Sequence, residues 1–141
     1  MRDNIEAARQ RLSEGGYTCV VFANGKEYTS SERGVSPLIG FLQSGASFCG
    51  AVAADKTVGA GAAHLYVLLG IHALWANVIS DDAIRILTDN GITVVWGERV
   101  PYIINRKGDG RCPIEIAVSD TKSSEEAYTL IIAVLNKLRL K

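Results

Sequence analysis

This chain carries no surplus of charge of either sign: fifteen basic residues face fifteen acidic ones, for a formal net charge of zero. The balance argues against nucleic acid or an anionic membrane as the main partner. Cysteine is sparse, with Cys19, Cys49 and Cys112 widely spaced and no Cys-x-x-Cys, so no disulfide framework is expected. Reduced thiols in a cytoplasmic protein are the simpler reading, and Met1-Arg2-Asp3-Asn4-Ile5-Glu6 shows no secretory signal pattern. His64 and His72 are not the i, i+4 pair a metal-binding helix uses, so neither a metal nor a cofactor is expected. Internal repeats and low-complexity tracts are absent from the sequence.

Charge is missing from one long stretch, 57–80, which by length alone would suit a membrane span. Gly59, Gly61, His64, Gly70, His72 and Asn77 interrupt it, and a helix that breaks into a strand at Gly70 explains it better.

What is present fits one globular domain over 1–141, with 48% apolar and 21% charged residues. A first helix over 3–15 has Ile5, Ala8 and Leu12 on one face and Asp3 spaced from Glu6 as in a capping box. Strands over 17–23 and 26–30 flank Asn24-Gly25, a strong hairpin signal, and the hairpin is expected at a sheet edge. Ser36 caps and Pro37 opens a second helix that Gly45 stops. The apolar run 47–54 reads as a central strand ending at Asp55, and an enclosed helix follows Lys56, its glycines and alanines allowing close approach to a sheet.

A strand over 74–79, a helix capped by Ser80 and closed by Asn90-Gly91, and a strand over 92–96 come next. Residues 107–111 form a turn-rich loop, Cys112-Pro113-Ile114-Glu115 starts a helical turn, and a last helix opens at Ser123. The expected architecture is a three-layer α/β/α sandwich on a mixed sheet of about five strands.

Three helix starts are candidates for chemistry. Asp55 and Lys56 at the apolar helix can serve as a cap and a solvated lysine, or present free amides and an ammonium to an anion. Cys112 at a helix start can be an activated thiol; alternatively Cys112, Pro113 and Glu115 form only a cap, Glu115 reaching back to a free amide. Gly34 and Ser36 offer a further set of amides.

The motifs Glu32-Arg33-Gly34-Val35-Ser36-Pro37-Leu38, Ala54-Asp55-Lys56-Thr57-Val58-Gly59, Val100-Pro101-Tyr102-Ile103-Ile104-Asn105-Arg106 and Cys112-Pro113-Ile114-Glu115 together resemble an uncharacterised prokaryotic family, domain of unknown function 1893. That family tends to carry Met where this chain has Ile114. The resemblance implies a cytidine-deaminase-like fold without the zinc motifs, since the helix starts at Gly34-Val35-Ser36 and Asp55-Lys56-Thr57 hold no zinc ligands of the deaminase type. It also implies that separated motifs converge on one crevice.

The expectation is a metal-free domain binding a small anionic or nucleotide-like ligand at the strand ends. Gly34, Ser36, Asp55, Lys56, Thr57 and Arg106 would form the site, with Cys112 and Glu115 closing it. A Cys112-dependent enzyme or redox protein, with Cys112, Glu115, Asp55 and Lys56 as catalytic candidates, is the first alternative. A structural or protein-interaction module, including a homo-oligomer, is the second.

Overall fold

A computed structural model describes residues 4–32, 34–104, 110 and 112–139. Helix α1 spans Ile5–Gly15, and Asn4 is its N-cap, accepting from the Ala7 amide at 2.8 Å. The expected capping box placed that role on Asp3, which lies outside the described residues; the adjacent Asn4 has the extended backbone that a cap requires.

Strands β1, Cys19–Ala23, and β2, Lys26–Ser30, form the expected hairpin. Asn24 and Gly25 both have positive φ, 54° and 77°, which the right-handed twist of a two-residue hairpin demands. Helix α2 is Ser36–Gln43 with Pro37 in its first turn. Here the cap differs from expectation: Val35 holds the N-cap position, Ser36 is already helical, and no side chain caps this end.

The larger correction concerns the central strand. β3 is Val52–Val58, so it begins later than expected and runs through Asp55, Lys56 and Thr57. Helix α3, Ala60–Leu69, starts only after Gly59, so Asp55 is no helix cap. The strand carries both charges because alternate side chains leave on opposite faces: Lys56 is exposed, while Asp55 is buried with a hydrogen bond from Tyr66. β4 is Ala73–Ser80, α4 Asp81–Asp89 with Ser80 as its cap, and β5 Thr93–Val100. A short α5, Pro113–Ala117, and α6, Ser124–Arg139, complete the described elements.

The sheet runs β2-β1-β3-β4-β5, with β1 antiparallel to both neighbours and β3, β4 and β5 parallel. β3 is therefore central. Both faces carry helices, as in a three-layer α/β/α sandwich. On one face α1 buries Ala8 and Leu12 against Val20, Val52, Ala54 and Ala73. On the other, a larger core joins Val21, Ala53, Leu74 and Ile79 to Leu38, Leu65, Tyr66 and Leu87.

Helix α3 is apolar on all sides because it is enclosed on all sides: α2, α4, α5 and α6 pack around it above the sheet. Its glycines work differently from expectation. A Cβ on Gly61 would lie 2.5 Å from Ile114 Cγ2 and 3.5 Å from Ile131 Cδ1, so Gly61 admits α5 and α6, not the sheet.

Candidate functional site

Asp55 and Lys56 are neighbours in sequence but serve opposite faces of the sheet. Asp55 lies on the α3 side, 7% exposed. Its Oδ2 accepts from the Tyr66 hydroxyl at 2.7 Å and its Oδ1 from the Thr57 amide at 3.2 Å. The Tyr66 oxygen also stands 3.3 Å from Cys19 Sγ, and Cys19 is the ladder partner of Asp55. Burial, opposed by hydrogen bonds from Tyr66 and Thr57, pushes the Asp55 carboxyl up to about 7. Burial and the Asp55 charge raise both the Cys19 thiol and the Tyr66 phenol. The result is a buried hydrogen-bonded chain of three ionisable groups.

Lys56 leaves on the α1 side, where it helps line an open depression of about 470 Å³ with Arg9, Tyr17, Trp75, Asn77 and Gly97. The sheet is irregular under this depression. Paired positions pass from Asp55↔Ala76 to Thr57↔Val78 and from Ala76↔Trp96 to Val78↔Glu98, so Lys56, Asn77 and Gly97 are skipped together. Core-facing side chains change spacing at the same place, from Ala53 and Asp55 to Val58 and from Leu74 and Ala76 to Ile79. The register is the same on either side of the gap, so no residue is inserted and only the side-chain directions change. Gly97 keeps the floor low, since a Cβ there would meet the Asn77 carbonyl oxygen at 3.0 Å.

The depression exists because one helix cannot cover five strands. α1 packs on β1, β3 and β4 and leaves the β5 side of this face open, where Val95 is 45% exposed. The walls are aromatic and cationic: the Arg9 guanidinium lies 5.4 Å from the Trp75 ring centroid, and the wall residue Tyr17 in turn has Arg11, outside the lining, 5.2 Å from its ring centroid. Glu6 pairs with Arg9 at 3.2 Å and Glu27 with Arg11 at 2.7 Å. Lys56 has no ion-pair partner among the described residues.

The helix start expected to hold a ligand is occupied by the protein itself. Glu115, on α5, accepts from the Ala60 amide at 2.7 Å and the Gly61 amide at 3.0 Å, and is 6% exposed. It caps α3, in place of the expected reach back within its own helix. Cys112 is half-buried at the N-cap of α5, and no side chain hydrogen-bonds to its sulfur among the described residues. Gly34 and Ser36 are exposed at the start of α2. Thr57 is exposed on β3, and Arg106 lies outside the described residues, as do 107–109 and Arg111 of the expected loop.

Thus the structure brings Glu115 to α3, separates Asp55 from Lys56, and adds Arg9, Tyr17, Trp75 and Asn77, which sequence reasoning missed. Among the described residues no three His, Cys, Asp or Glu side chains cluster as metal ligands. The starts Val35-Ser36-Pro37 and Gly59-Ala60-Gly61 carry neither His nor Cys and do not fit a deaminase zinc. Among the described residues no helix is long and apolar enough to cross a membrane.

Residues 7–135 match the family described as Domain of unknown function (DUF1893). The chain belongs to the DUF1893 family. Its fold is similar to the crystal structure of a DUF1893 family protein from Thermotoga maritima, with TM-score 0.82 and 21% identity over 97% of this chain and 95% of that one. At that identity the likeness speaks for the DUF1893 fold alone. No curated protein matches this DUF1893 chain.

Proposed function

We propose that this DUF1893 protein binds a small anionic, nucleotide-like ligand in the depression on the α1 face, with Lys56 as its principal cationic contact. The observation that carries the reading is Lys56 itself, delivered by the central strand into an aromatic-walled depression without a carboxylate partner among the described residues. An ammonium in that position favours an anion, the Trp75 ring with the Arg9 guanidinium lying over it offers a planar stack to a base, and the Asn77 amide can both donate and accept. Lys56, Asn77 and Gly97 lie two or three residues before the carboxyl ends of β3, β4 and β5, toward the end at which open α/β sheets bind ligands, and Trp75 lies one turn of the pleat further back.

The deaminase-like kinship implied by the sequence motifs belongs to this proposal only as a guide to ligand size. The alternatives remain a thiol enzyme built on Cys112 and an interaction module. Calorimetric titration with purine and pyrimidine mononucleotides tests the reading. Binding that Lys56→Ala and Trp75→Ala each weaken at least tenfold supports it; binding unchanged in both sinks it.

A further inference from the structure

We propose that Asp55 is the positioning residue for Lys56 and makes anion binding in the depression proton-linked, a deepening that rests on the anion-site reading above. Asp55 Oδ1 accepts from the Thr57 amide, so the carboxylate spans Lys56 and fixes the backbone on its far side. On the near side the Lys56 amide donates to the Thr18 carbonyl oxygen at 3.0 Å. Between these two anchors the β3–β4 ladder skips Lys56. The Lys56 backbone is therefore held by Thr18 on the β1 side and by Asp55 through the Thr57 amide, with no bridge to β4 to hold it otherwise.

The groups around Asp55 let it hold either protonation state. It meets Cys19 on β1, Tyr66 on α3 and apolar Ala76 on β4. Among the described residues no cationic side chain pairs with it. Glu115, at the start of α3, is engaged with the Ala60 and Gly61 amides. His64 points to Ser124 and Thr121. Across the sheet stand Lys56, Arg9 with its partner Glu6, and Tyr17.

With Asp55 ionised, the chain runs from the Cys19 thiol to the Tyr66 oxygen and from the Tyr66 hydroxyl to Oδ2. When Oδ2 takes a proton from solvent it becomes the donor; the Tyr66 oxygen accepts, and the Tyr66 hydroxyl turns to Cys19 Sγ. Two hydrogen bonds are made in either direction, and only the weak Cys19 S–H donor gives up its acceptor in the protonated state, so titration costs no buried oxygen-to-oxygen hydrogen bond. Burial already sets the carboxyl within the neutral range.

What changes is one negative charge on the strand that carries Lys56. An ionised Asp55 opposes an anion bound across the sheet, and a neutral one does not. By linkage, anion binding draws a proton onto Asp55.

Inorganic sulfate, whose charge is constant from pH 5.5 to 8.5, is the probe, followed by NMR shifts of the Lys56 and Asn77 amides. Wild-type affinity is expected to fall about fivefold across that range, the order expected for one unit charge acting at intermediate dielectric. Asp55→Asn, which keeps an acceptor for the Thr57 amide, gives a flat profile near the acid-side affinity, while the double variant His64→Gln with His72→Gln keeps the slope. A flat wild-type profile with Lys56→Ala abolishing binding overturns the proton linkage and leaves the site standing. Sulfate binding indifferent to Lys56→Ala overturns both. If Asp55→Asn does not fold, the carbon-13 shift of the Asp55 carboxyl in the wild type decides: its midpoint rises on saturation with sulfate, and an unmoved midpoint overturns the proposal.

Discussion

Glu115 and Gly59 share a space that admits only one side chain. The Glu115 carboxylate accepts from the two amides that follow Gly59, and a Cβ on residue 59 would collide with that carboxylate. The helix end that a first reading offers to an anionic ligand is thus already satisfied by an anion of the chain.

Replacing Glu115 by Ala leaves two buried amides without an acceptor. A charge-assisted bond of this type is worth about 1.5–3 kcal/mol, so chemical denaturation of Glu115→Ala is expected to show a loss of that order. Gly59→Ala displaces the same carboxylate and should lose stability too. Wild-type stability in both variants contradicts the capping role.

The hairpin, the Ser80 cap and the enclosed α3 were legible in the sequence because each rests on local chemistry: positive φ at Asn24-Gly25, a short hydroxyl at a helix start, a charge-free helical stretch. Asp55 was misplaced because a charged pair after an apolar run looks like a strand end. What keeps β3 going is tertiary: Tyr66 supplies the hydrogen bond that lets Asp55 stay buried. Glu115 could not be traced to α3, 55 residues away from Ala60, by any local spacing. The depression depends on how far one helix reaches across five strands, which no motif encodes. Two weaker signs were available, namely the alternation that must send Asp55 and Lys56 to opposite faces and the lone tyrosine hydroxyl in α3.

Asp55 also sets a pH dependence of stability. Its carboxyl is raised from the usual value near 4 to about 7 in the fold. Its stabilising contribution is therefore fully present below about pH 4, is lost as pH rises toward about 7, and is constant beyond. His64 acts in the opposite sense: burial lowers it, so its contribution is lost as pH falls through its folded value. Thermal unfolding of wild type against Asp55→Asn isolates the carboxyl. The difference should favour the wild type increasingly from pH 8 to pH 5, and a pH-independent difference contradicts the assignment.

The three thiols should separate by reactivity. Cys49 is exposed and Cys112 half-buried, whereas Cys19 is 1% exposed with its thiol raised by burial and the Asp55 charge. Mass spectrometry after brief alkylation at pH 8 is expected to find Cys49 and Cys112 modified and Cys19 intact until denaturant is added. Rapid native labelling of Cys19 contradicts its place in the buried chain.

Lys56→Ala should leave the fold alone, because its exposed ammonium has no ion-pair partner among the described residues. Stability within about 0.5 kcal/mol of wild type by denaturant titration is the expected outcome. A loss of several times that size would mean Lys56 is structural.

The most direct test of the anion site is a nitrogen-15 correlation spectrum recorded while a mononucleotide is added. Shifts concentrated at Lys56, Asn77, Gly97 and the Trp75 indole, with Ala60 and Gly61 unmoved, are the predicted result. Shifts centred on Ala60 and Gly61, or no saturable shift at the four depression residues, would contradict the account.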